Sequence, residues 1–498
     1  MAKIKKVLVA NRGEIACRII RSLKEMGVRT VAVYSEADRE AIHVRLADEA
    51  CLLGPAPSSQ SYLVADKIIE AALNLNVDAI HPGYGFLSEN AEFSEKVKAS
   101  GIIFIGPSGN SIRVMGNKLA AKDAASKYNI PMVPGGDAAI TDVNEAKKIA
   151  SQAGYPILIK AAAGGGGKGM RIVDAEEDLE EQMNRAVSEA QSSFGDGSVF
   201  IEKYIASPRH IEIQVLGDTH GNIVHLFERE CSIQRRYQKV VEEAPSSVLT
   251  PQVREAMGKA AVDVARACNY YGAGTVEFIM DENLNYYFLE MNTRLQVEHP
   301  VTEMITGVDL VKEQIRIAEG EVLPFKQEDL KINGHAMELR VYAEDPQNDF
   351  LPDTGTLRSY STPKGPGVRV DDCFEEGMSV SVFYDPMIAK LVTHAETREG
   401  AIERMIRAIE EYNITGIQTT LAFGKFVMNH QAFRSGKFDT HFVKNHFKPE
   451  YLAETPANED MDFIAAALAA EIFSKANTSE PNKASGNSKE SKWKKNRK

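Results

Sequence analysis

The chain has 498 residues, enough for about three domains of ordinary size, and 43% of them are hydrophobic and 26% charged, which is typical of a globular protein with a sizeable core. No apolar run reaches the ~18 residues that span a bilayer, and the apolar stretch near the start is too short for a signal peptide. The net charge is −12, so the chain lacks the basic surface that binds nucleic acid regardless of sequence.

Short apolar runs alternate with helical stretches through residues 1–113. A β-α-β order of this kind indicates a parallel, Rossmann-like sheet with helices on its faces. The first turn has only Gly13 and lacks the G-x-G-x-x-G pattern, which excludes NAD binding. The predicted elements are strands at 7–10, 30–34, 79–80 and 102–105, and helices at 14–26, 64–75 and 90–99.

A second domain is predicted over residues 114–330, where strand patterns dominate from Ile157 to Leu323. Proline and glycine interrupt it early, between Pro131 and Gly136. Because these residues punctuate regular structure, we expect a hinge there and a mobile lid over about 134–204.

The predicted lid contains four consecutive glycines, residues 164–167, followed by Lys168. Without Cβ atoms, backbone N–H groups can approach and surround an anion such as a triphosphate. The spacing is not that of a Walker A loop. The run favours a phosphate site, with a flexible hairpin tip as the alternative.

Two strand-like runs flank the polar turn 281–285. If the hairpin is symmetric about positions 283–284, Glu277 and Glu290 lie directly opposite each other, and Asn292 lies on the same face as Glu290. Opposed like charges destabilise a sheet unless something offsets them. Since carboxylate oxygens suit Mg²⁺, the pattern favours a metal site over a solvated acidic face.

The octapeptide 293–300 follows this hairpin and places Arg294, Gln296 and Glu298 at alternating positions, as on a strand. An arginine, an amide and a carboxylate beside a metal site could hold a small anion and supply a base.

A third domain is predicted over 331–446, followed by a region, 447–498, that combines one apolar helix with a disordered basic tail. The tail from Lys475 onward has eight basic and two acidic side chains, which leaves a net charge of −18 for residues 1–474. The predicted elements are strands at 336–342, 356–360 and 387–394, and helices at 398–411, 420–428 and 462–475. We expect the last helix to dock either on its own third domain or on a partner protein.

Five cysteines are scattered along the chain with no Cys-x-x-Cys pair. This pattern indicates neither a disulfide framework nor a structural zinc site, and a reduced cytoplasmic protein is the expectation.

Taken together, the chain resembles the biotin carboxylase component of biotin-dependent carboxylases, which belongs to the ATP-grasp superfamily. The resemblance covers residues 3 to about 445 and rests on long motifs. These are ANRGEIA at 10–16, HPGYGFLSEN at 81–90, the glycine loop at 164–170, QRR at 234–236 with Gln238 and Lys239, EMNTR at 290–294 and QVEHP at 296–300.

The resemblance implies an α/β fold with α+β parts: a Rossmann-like N-terminal domain, an ATP-grasp domain with a mobile lid, and a mixed C-terminal domain. It also implies that ATP activates bicarbonate as carboxyphosphate and that biotin is then carboxylated.

The resemblance also assigns roles to individual residues. The implied contacts to ATP are Lys118, Lys160, Gly165, Gly166, Gly167, Glu202, Lys203, Ile205, His210 and Gln234. The implied ligands of Mg²⁺ or Mn²⁺ are Glu277 and Glu290, with Asn292 beside them. The implied bicarbonate pocket consists of Lys239, Arg294, Gln296, Val297 and Glu298. Glu298 would be the general base, Arg340 would face the biotin enolate, and Lys239 and Arg294 would complete the catalytic set.

One position departs from the family pattern, because Tyr237 stands where most members have histidine. A phenol can donate a hydrogen bond to ribose but does not become cationic near neutral pH. Tyr237 is therefore expected as a nucleotide contact. Cys231 lies near this segment and is expected to be a buried apolar residue rather than a nucleophile.

The chain has no Met-Lys dipeptide and thus no Met-Lys-Met biotinylation site. Biotin is therefore expected on a separate carrier, with the carboxyltransferase on a partner protein, and the resemblance implies a homodimer. Pyruvate is the preferred acceptor, as for the biotin carboxylase component of two-subunit pyruvate carboxylases, with acetyl-CoA or another acyl-CoA or 2-oxoacid as alternatives. Another ATP-grasp ligase and a non-catalytic nucleotide-binding regulator are the competing classes.

Overall fold

The structure is a computed structural model that describes residues 3–136, 138–162, 170–452 and 467–470. The chain divides into two compact units, Met1–Lys448 and Pro449–Lys498. The glycine loop, including Gly165, Gly166 and Gly167, lies outside the described residues. So does most of the helix predicted at 462–475, of which 467–470 are helical and exposed.

The N-terminal region is built on a five-stranded parallel sheet with the strand order β3-β2-β1-β4-β5. Alternate residues of β1 face opposite sides: Val7 and Val9 enter one hydrophobic core and Leu8 enters another. The predicted Rossmann-like sheet is confirmed, and β3 is an additional strand. The elements are β1 Lys6–Val9, α1 Gly13–Glu25, β2 Arg29–Ser35, α2 Ile42–Leu46, β3 Glu49–Gly54, α3 Ala65–Asn74, β4 Ala79–His81, α4 Ala91–Ala99, β5 Ile103–Phe104 and α5 Gly109–Gly116.

The region predicted as the lid forms a three-stranded antiparallel sheet of order β7-β6-β8. Two helices cover it and share a hydrophobic core of their own. Gly135 lies against β8, where a Cβ atom would stand 2.3 Å from the carbonyl oxygen of Ile201, so only glycine fits. The elements from α6 onward are α6 Lys118–Ser126, α7 Val143–Ala153, β6 Ile157–Ala161, β7 Arg171–Val173, α8 Glu176–Phe194 and β8 Val199–Lys203.

An eight-stranded antiparallel sheet carries the rest of the fold, with the order β13-β12-β9-β10-β11-β14-β19-β18. It runs without a break across the boundary predicted near residue 330, because β11 pairs with β14. Its elements, with the helices between them, are β9 Arg209–Gly217, β10 Ile223–Arg235, β11 Gln238–Ala244, α9 Pro251–Ala267, β12 Gly272–Met280, β13 Tyr286–Asn292, α10 His299–Thr306, α11 Leu310–Ala318, β14 His335–Tyr342, β15 Glu344–Asp345, β16 Leu351–Pro352, β17 Ser359–Ser361, β18 Val368–Asp372 and β19 Met387–Ala395.

The chain then continues mostly as helices: α12 Arg398–Glu411, β20 Asn413–Thr415, α13 Leu421–Asn429, α14 Gln431–Arg434 and α15 Phe442–His446. The two short sheets are β15 with β16 and β17 with β20. None of the helices in the described part of the chain has the length and apolar character that a bilayer span requires.

The expectation that strands dominate from Ile157 to Leu323 is wrong for two long helices, α8 and α9. Helix α8 buries Leu179, Met183 and Ala186, which repeat with helical spacing. Helix α9 begins with Thr250, whose side chain accepts the N–H of Val253 as an N-cap. The helical spacing in α8 and the N-cap of α9 are both local signals, but they lie between strong strand patterns.

Candidate active site

The ammonium group of Lys239, on β11, stands at the centre of the site. Its Nζ donates to Glu212 Oε2 at 2.6 Å, to Glu277 Oε1 at 2.9 Å and to Glu298 Oε1 at 2.7 Å. Burial alone lowers the pKa of a lysine, but these three carboxylates raise the pKa of Lys239 well above its ordinary value. Lys239 is therefore a fixed cation surrounded by acids.

Glu298 is held between two cations. Its Oε2 accepts a hydrogen bond from Arg340 Nη2 at 2.9 Å, while Oε1 is bound by Lys239. Burial raises the pKa of a carboxyl group, but Lys239, Arg340 and Arg229 hold the pKa of Glu298 well below its usual range. The side chain is thus ionised at neutral pH and oriented at both oxygens, as a proton acceptor requires.

The segment 293–298 is an irregular loop, and the prediction of a strand there is wrong. Leu295 is completely buried and anchors the loop. Pro300 stands in the first turn of α10, where its fixed φ favours helix initiation and ends the extended backbone. The loop still brings together the three polar residues that were predicted to act jointly.

Those residues contact the hairpin beside them. Gln296 Nε2 donates to Glu277 Oε1 at 2.8 Å, and Arg294 Nη2 donates to Asn292 Oδ1 at 3.0 Å. The side-chain amides of Gln296 and Asn292 are thereby fixed in orientation.

The hairpin formed by β12 and β13 places Glu277 opposite Glu290, as predicted. The pairing arises differently from the symmetric hairpin expected, because a β-bulge lies between this pair and the pairing of Phe278 with Phe288. Asn292 Nδ2 donates to Glu277 Oε1 at 3.0 Å, so it lies on the same face.

The residues of the hairpin fit a divalent cation. Glu277 Oε2 lies 2.9 Å from His210 Nε2. Burial raises the pKa of a carboxyl group, but Lys239 and His210 hold the pKa of Glu277 well below its usual value, so it is an anion. Two facing carboxylates supply the hard oxygen donors that Mg²⁺ prefers, whereas the Asn292 amide oxygen is held by Arg294.

Arg229, on β10, is completely buried and was not singled out from the sequence. Its guanidinium donates to Glu212, to Gln214 Oε1 at 2.6 Å, to Thr302 Oγ1 and Thr275 Oγ1 at 3.0 Å each, and to Gln296 Oε1 at 3.1 Å. A buried arginine with every donor direction used orients the acids around Lys239.

Three family models match the chain in sequence order. They are "Biotin carboxylase, N-terminal domain" at residues 3–112, "Carbamoyl-phosphate synthase L chain, ATP binding domain" at 117–326, and "Biotin carboxylase C-terminal domain" at 338–445. The chain is also 53% identical to one subunit of the pyruvate carboxylase of Methanothermobacter thermautotrophicus, over 88% of this chain and 89% of that protein. The chain belongs to the biotin carboxylases. These enzymes are ATP-dependent ligases.

Other relatives are parts of carboxylases with different names. The chain is 53% identical to the methylcrotonoyl-CoA carboxylase α subunit of Rattus norvegicus, over 89% of this chain. It spans 62% to 69% of the length of four such α subunits. A crystal structure of the biotin carboxylase domain dimer of Hydrogenobacter thermophilus 2-oxoglutarate carboxylase, with MgADP, ADP and bicarbonate, is 50% identical, with a TM-score of 0.84 over 91% of this chain and all of that one.

Among the predicted ATP contacts of this biotin carboxylase is Glu202, on β8. Its carboxylate is bound by Lys160 Nζ at 2.5 Å and Lys122 Nζ at 2.7 Å. Lys203 Nζ instead donates to the carbonyl oxygens of Gly154 and Tyr155, at 2.9 and 2.8 Å.

The remaining predicted ATP contacts are more dispersed. Gln234 Nε2 donates to the carbonyl oxygen of Cys231 at 2.8 Å. Tyr237 is 66% exposed at the turn between β10 and β11, and Ile205 is half-buried just after β8. Lys118 is the first residue of α6.

Cys231 is buried, and burial raises the pKa of its thiol well above the ordinary value. The thiol is neutral, in agreement with the expectation that it is not a nucleophile.

Three further residues of the biotin carboxylase site were missed besides Arg229. Glu89 Oε2 accepts from Arg294 Nε at 2.8 Å, and Lys390 Nζ donates to the carbonyl oxygen of Val297 at 3.0 Å. Glu212 binds Lys239. Glu89 lies within a motif that the sequence displayed, whereas Glu212 and Lys390 carry no local signal because their partners are distant in sequence.

Proposed function

We propose that this biotin carboxylase uses ATP and bicarbonate to carboxylate biotin that is bound to a separate carrier protein, through carboxyphosphate. The observation that carries the proposal is the position of Glu298, an ionised carboxylate held by Lys239 on one oxygen and Arg340 on the other. This arrangement suits removal of a proton from a small anion beside a phosphoryl-transfer site.

In the proposed reaction, Glu298 takes the proton of bicarbonate while a bicarbonate oxygen bonds to the γ-phosphorus and ADP leaves. Lys239 and Arg294 offset the negative charge that gathers as two anions meet. Gln296, held by Arg229 and bonded to Glu277, orients the bicarbonate. A divalent cation held by Glu277, Glu290 and Asn292 would supply positive charge that offsets the negative charge of the transferring phosphoryl group.

In the second step Arg340 would stabilise the biotin enolate. Its guanidinium is fixed in orientation by Glu242, which accepts from Nε at 2.6 Å. The contacts of the nucleotide would come from Lys118, Lys160, His210, Glu202, Lys203, Ile205, Gln234 and Tyr237, together with the glycine loop.

The general base is tested with Glu298→Gln, which retains the shape and removes the proton acceptor. We expect bicarbonate-dependent ATP cleavage in the presence of free biotin to fall by ~10²-fold or more, while ATP affinity is retained. Glu313→Gln, a buried carboxyl on α11 that pairs with Arg316, is the control variant. Activity of Glu298→Gln within threefold of the wild type would contradict the assignment.

We further propose that the partner protein carries both biotin and the carboxyltransferase, that the chain forms a homodimer, and that pyruvate is the acceptor. Support for pyruvate comes from the 53% identity to a pyruvate carboxylase chain. The equal identity to a methylcrotonoyl-CoA carboxylase α subunit makes an acyl-CoA the alternative. The five free cysteines fit a reducing compartment such as the cytoplasm.

The acceptor is tested by purifying the native protein with its biotinylated partner and supplying labelled bicarbonate. Label transferred to pyruvate supports the proposal. Label transferred to a CoA thioester or to 2-oxoglutarate instead would overturn the choice of acceptor without affecting the biotin carboxylase reaction.

A further inference from the structure

Two buried glutamates lie near Arg340, and the mechanism above uses only one of them, Glu242, as the acceptor that holds Arg340 Nε. Glu242 on β11 and Glu338 on β14 are directly opposed in the antiparallel pairing of the two strands, so their side chains share one face. Both are completely buried. Cβ atoms at opposed positions lie about 4.5–5.5 Å apart, so the two glutamate side chains are neighbours on one face in the interior of the sheet.

The hydrogen bonding of this pair is incomplete. Glu242 Oε1 accepts from Arg340 Nε at 2.6 Å. Glu242 Oε2 and both oxygens of Glu338 have no hydrogen-bond partner among the described residues. Three buried carboxyl oxygens without donors are unfavourable when both groups are ionised, and a proton shared between the groups relieves this.

Burial outweighs the charged groups around Glu338. Lys390, on the neighbouring strand β19, lowers the pKa of Glu338, but its ammonium is bound by the carbonyl oxygen of Val297 and by Glu14. His299, at the start of α10, is buried, and burial with nearby cations holds its pKa well below the ordinary value, so it is neutral. The titratable and charged groups that interact with the pair are Lys390 on β19, Lys239 on β11, Cys231 on β10, Arg340 on β14, and Glu298 just before α10.

We propose that Glu242 and Glu338 hold a single proton between them and act as positioning residues for Arg340. The pair carries one negative charge, which holds Arg340 Nε through Glu242 while Glu298 holds Nη2. Loss of the shared proton places a second negative charge near Arg340. The arginine then offers less positive charge to a biotin enolate, and Glu298 becomes more basic.

The pKa values agree with this geometry. Burial raises the pKa of Glu338 well above its usual value against a lowering by Lys390, and Glu242 raises it further. Burial raises the pKa of Glu242 to about 7, against a lowering by Arg340.

The inference rests on the proposed function for its kinetic consequence. Biotin-dependent turnover should fall on the alkaline side as the pair loses its proton. Glu338→Gln imitates the protonated group at every pH, so the alkaline limb of kcat for free biotin should move upward by ~1 pH unit or more. Glu313→Gln, on a different helix, should leave that limb in place.

The pair also predicts how the substitutions combine. Glu242→Gln and Glu338→Gln act on one titrating unit, so the shift in the double variant should not exceed the larger of the two single shifts. Shifts that add in full, or an alkaline limb that does not move in Glu338→Gln, would overturn the proposal.

A spectroscopic measurement tests the proton directly and does not depend on activity. Infrared difference spectra of the wild-type protein should show, at neutral pH, the carbonyl stretch of a protonated carboxylic acid that disappears at alkaline pH. The same band should be absent or displaced in Glu338→Gln. If the wild type has no such band, the shared proton does not exist, even if Glu338→Gln fails to fold.

The two proposals fail in distinguishable ways. A wild-type protein that cleaves no ATP with bicarbonate would remove the proposed function, while the infrared band would still report on the pair. An active wild type without the band would remove only the pair.

Discussion

At the scale of single residues, the buried glutamates of strands β11 and β14 differ in how well their carboxyl groups are hydrogen-bonded. Glu243 is bound by His335 Nε2 at 2.7 Å and by Arg398 Nε at 2.7 Å. Its neighbour Glu242 has an unpartnered oxygen, and Glu338 has two, among the described residues. Adjacent positions of one strand face different sides, so two glutamates in sequence can have opposed electrostatics.

These environments predict opposite effects of glutamine on stability. Glu338 has a raised pKa in the folded protein, so the unfolded chain ionises first as pH rises, and stability falls between its ordinary and its raised pKa. Glu338→Gln removes that cost, worth about 1.4 kcal/mol per unit of pKa difference. Its melting temperature should exceed that of the wild type, and by more at about pH 8 than at about pH 5.

Glu243→Gln is the matched contrast. Burial raises the pKa of a carboxyl group, but His335 and Arg398 lower the pKa of Glu243 below its usual value. The ionised Glu243 therefore stabilises the folded protein above the ordinary pKa of a glutamate. This stabilisation is lost as pH falls through the lowered pKa. We expect Glu243→Gln to lose about 3 kcal/mol at neutral pH, measured by urea unfolding, because His335 and Arg398 lose their shared anion. A loss of stability in both variants at neutral pH would contradict the contrast.

At the scale of elements, the β12–β13 hairpin determines where the acids meet. A bulge shifts the register by one residue between the turn and the glutamate pair, and without it Glu277 would not face Glu290. Bulges of this kind often occur beside functional sites because they redirect single side chains. The sheet of β6, β7 and β8 has a core of its own, which suits the mobile lid that stays a prediction.

The hairpin predicts a defined effect on the requirement for metal. Glu290→Gln removes one anionic ligand, so we expect the Mg²⁺ concentration for half-maximal ATP cleavage to rise by ~10-fold and turnover to fall. Glu282→Gln, in the turn of the same hairpin, should leave both unchanged. Equal Mg²⁺ dependence in Glu290→Gln and the wild type would show that Glu290 is not a ligand.

At the scale of the whole molecule, Glu303 on α10 connects three parts of the chain. Its Oε1 accepts from Arg18 Nη2 on α1 at 2.9 Å and from the N–H of Leu310 at 2.8 Å. Its Oε2 accepts from Arg369 Nη1 on β18 at 2.8 Å. One buried carboxylate thus joins the parallel sheet region, the central region and the end of the large sheet.

Glu303→Gln should therefore destabilise the whole chain. Two arginines lose their shared anion, and breaking a buried pair in this way costs about 3–5 kcal/mol. The measurement is the midpoint of urea unfolding. The control is Glu375→Gln, which removes an exposed ion pair with Arg45. This substitution should lower the free energy of unfolding by less than about 1 kcal/mol. Equal losses in the two variants would contradict the role given to Glu303.

The sequence by itself determined the elements whose signals are local. The alternation in β1 and its helices indicated the parallel sheet, and the polar turn at 281–285 indicated the hairpin that opposes Glu277 and Glu290. The motifs identified the family, and the site residues they imply stay predictions. The sequence misjudged α8 and α9 and the loop at 293–298, because the strand patterns beside them outweighed the helical and turn signals.

Only the tertiary structure decided which strands became neighbours. The order β9-β10-β11-β14 brings Glu212, Arg229, Lys239 and Arg340 around Glu298, although more than a hundred residues separate the first from the fourth. Hydrophobic periodicity indicates whether a side chain is buried but not which side chain lies beside it. Strand pairing across the sheet decides that, and here it makes Glu338 one half of a buried carboxyl pair.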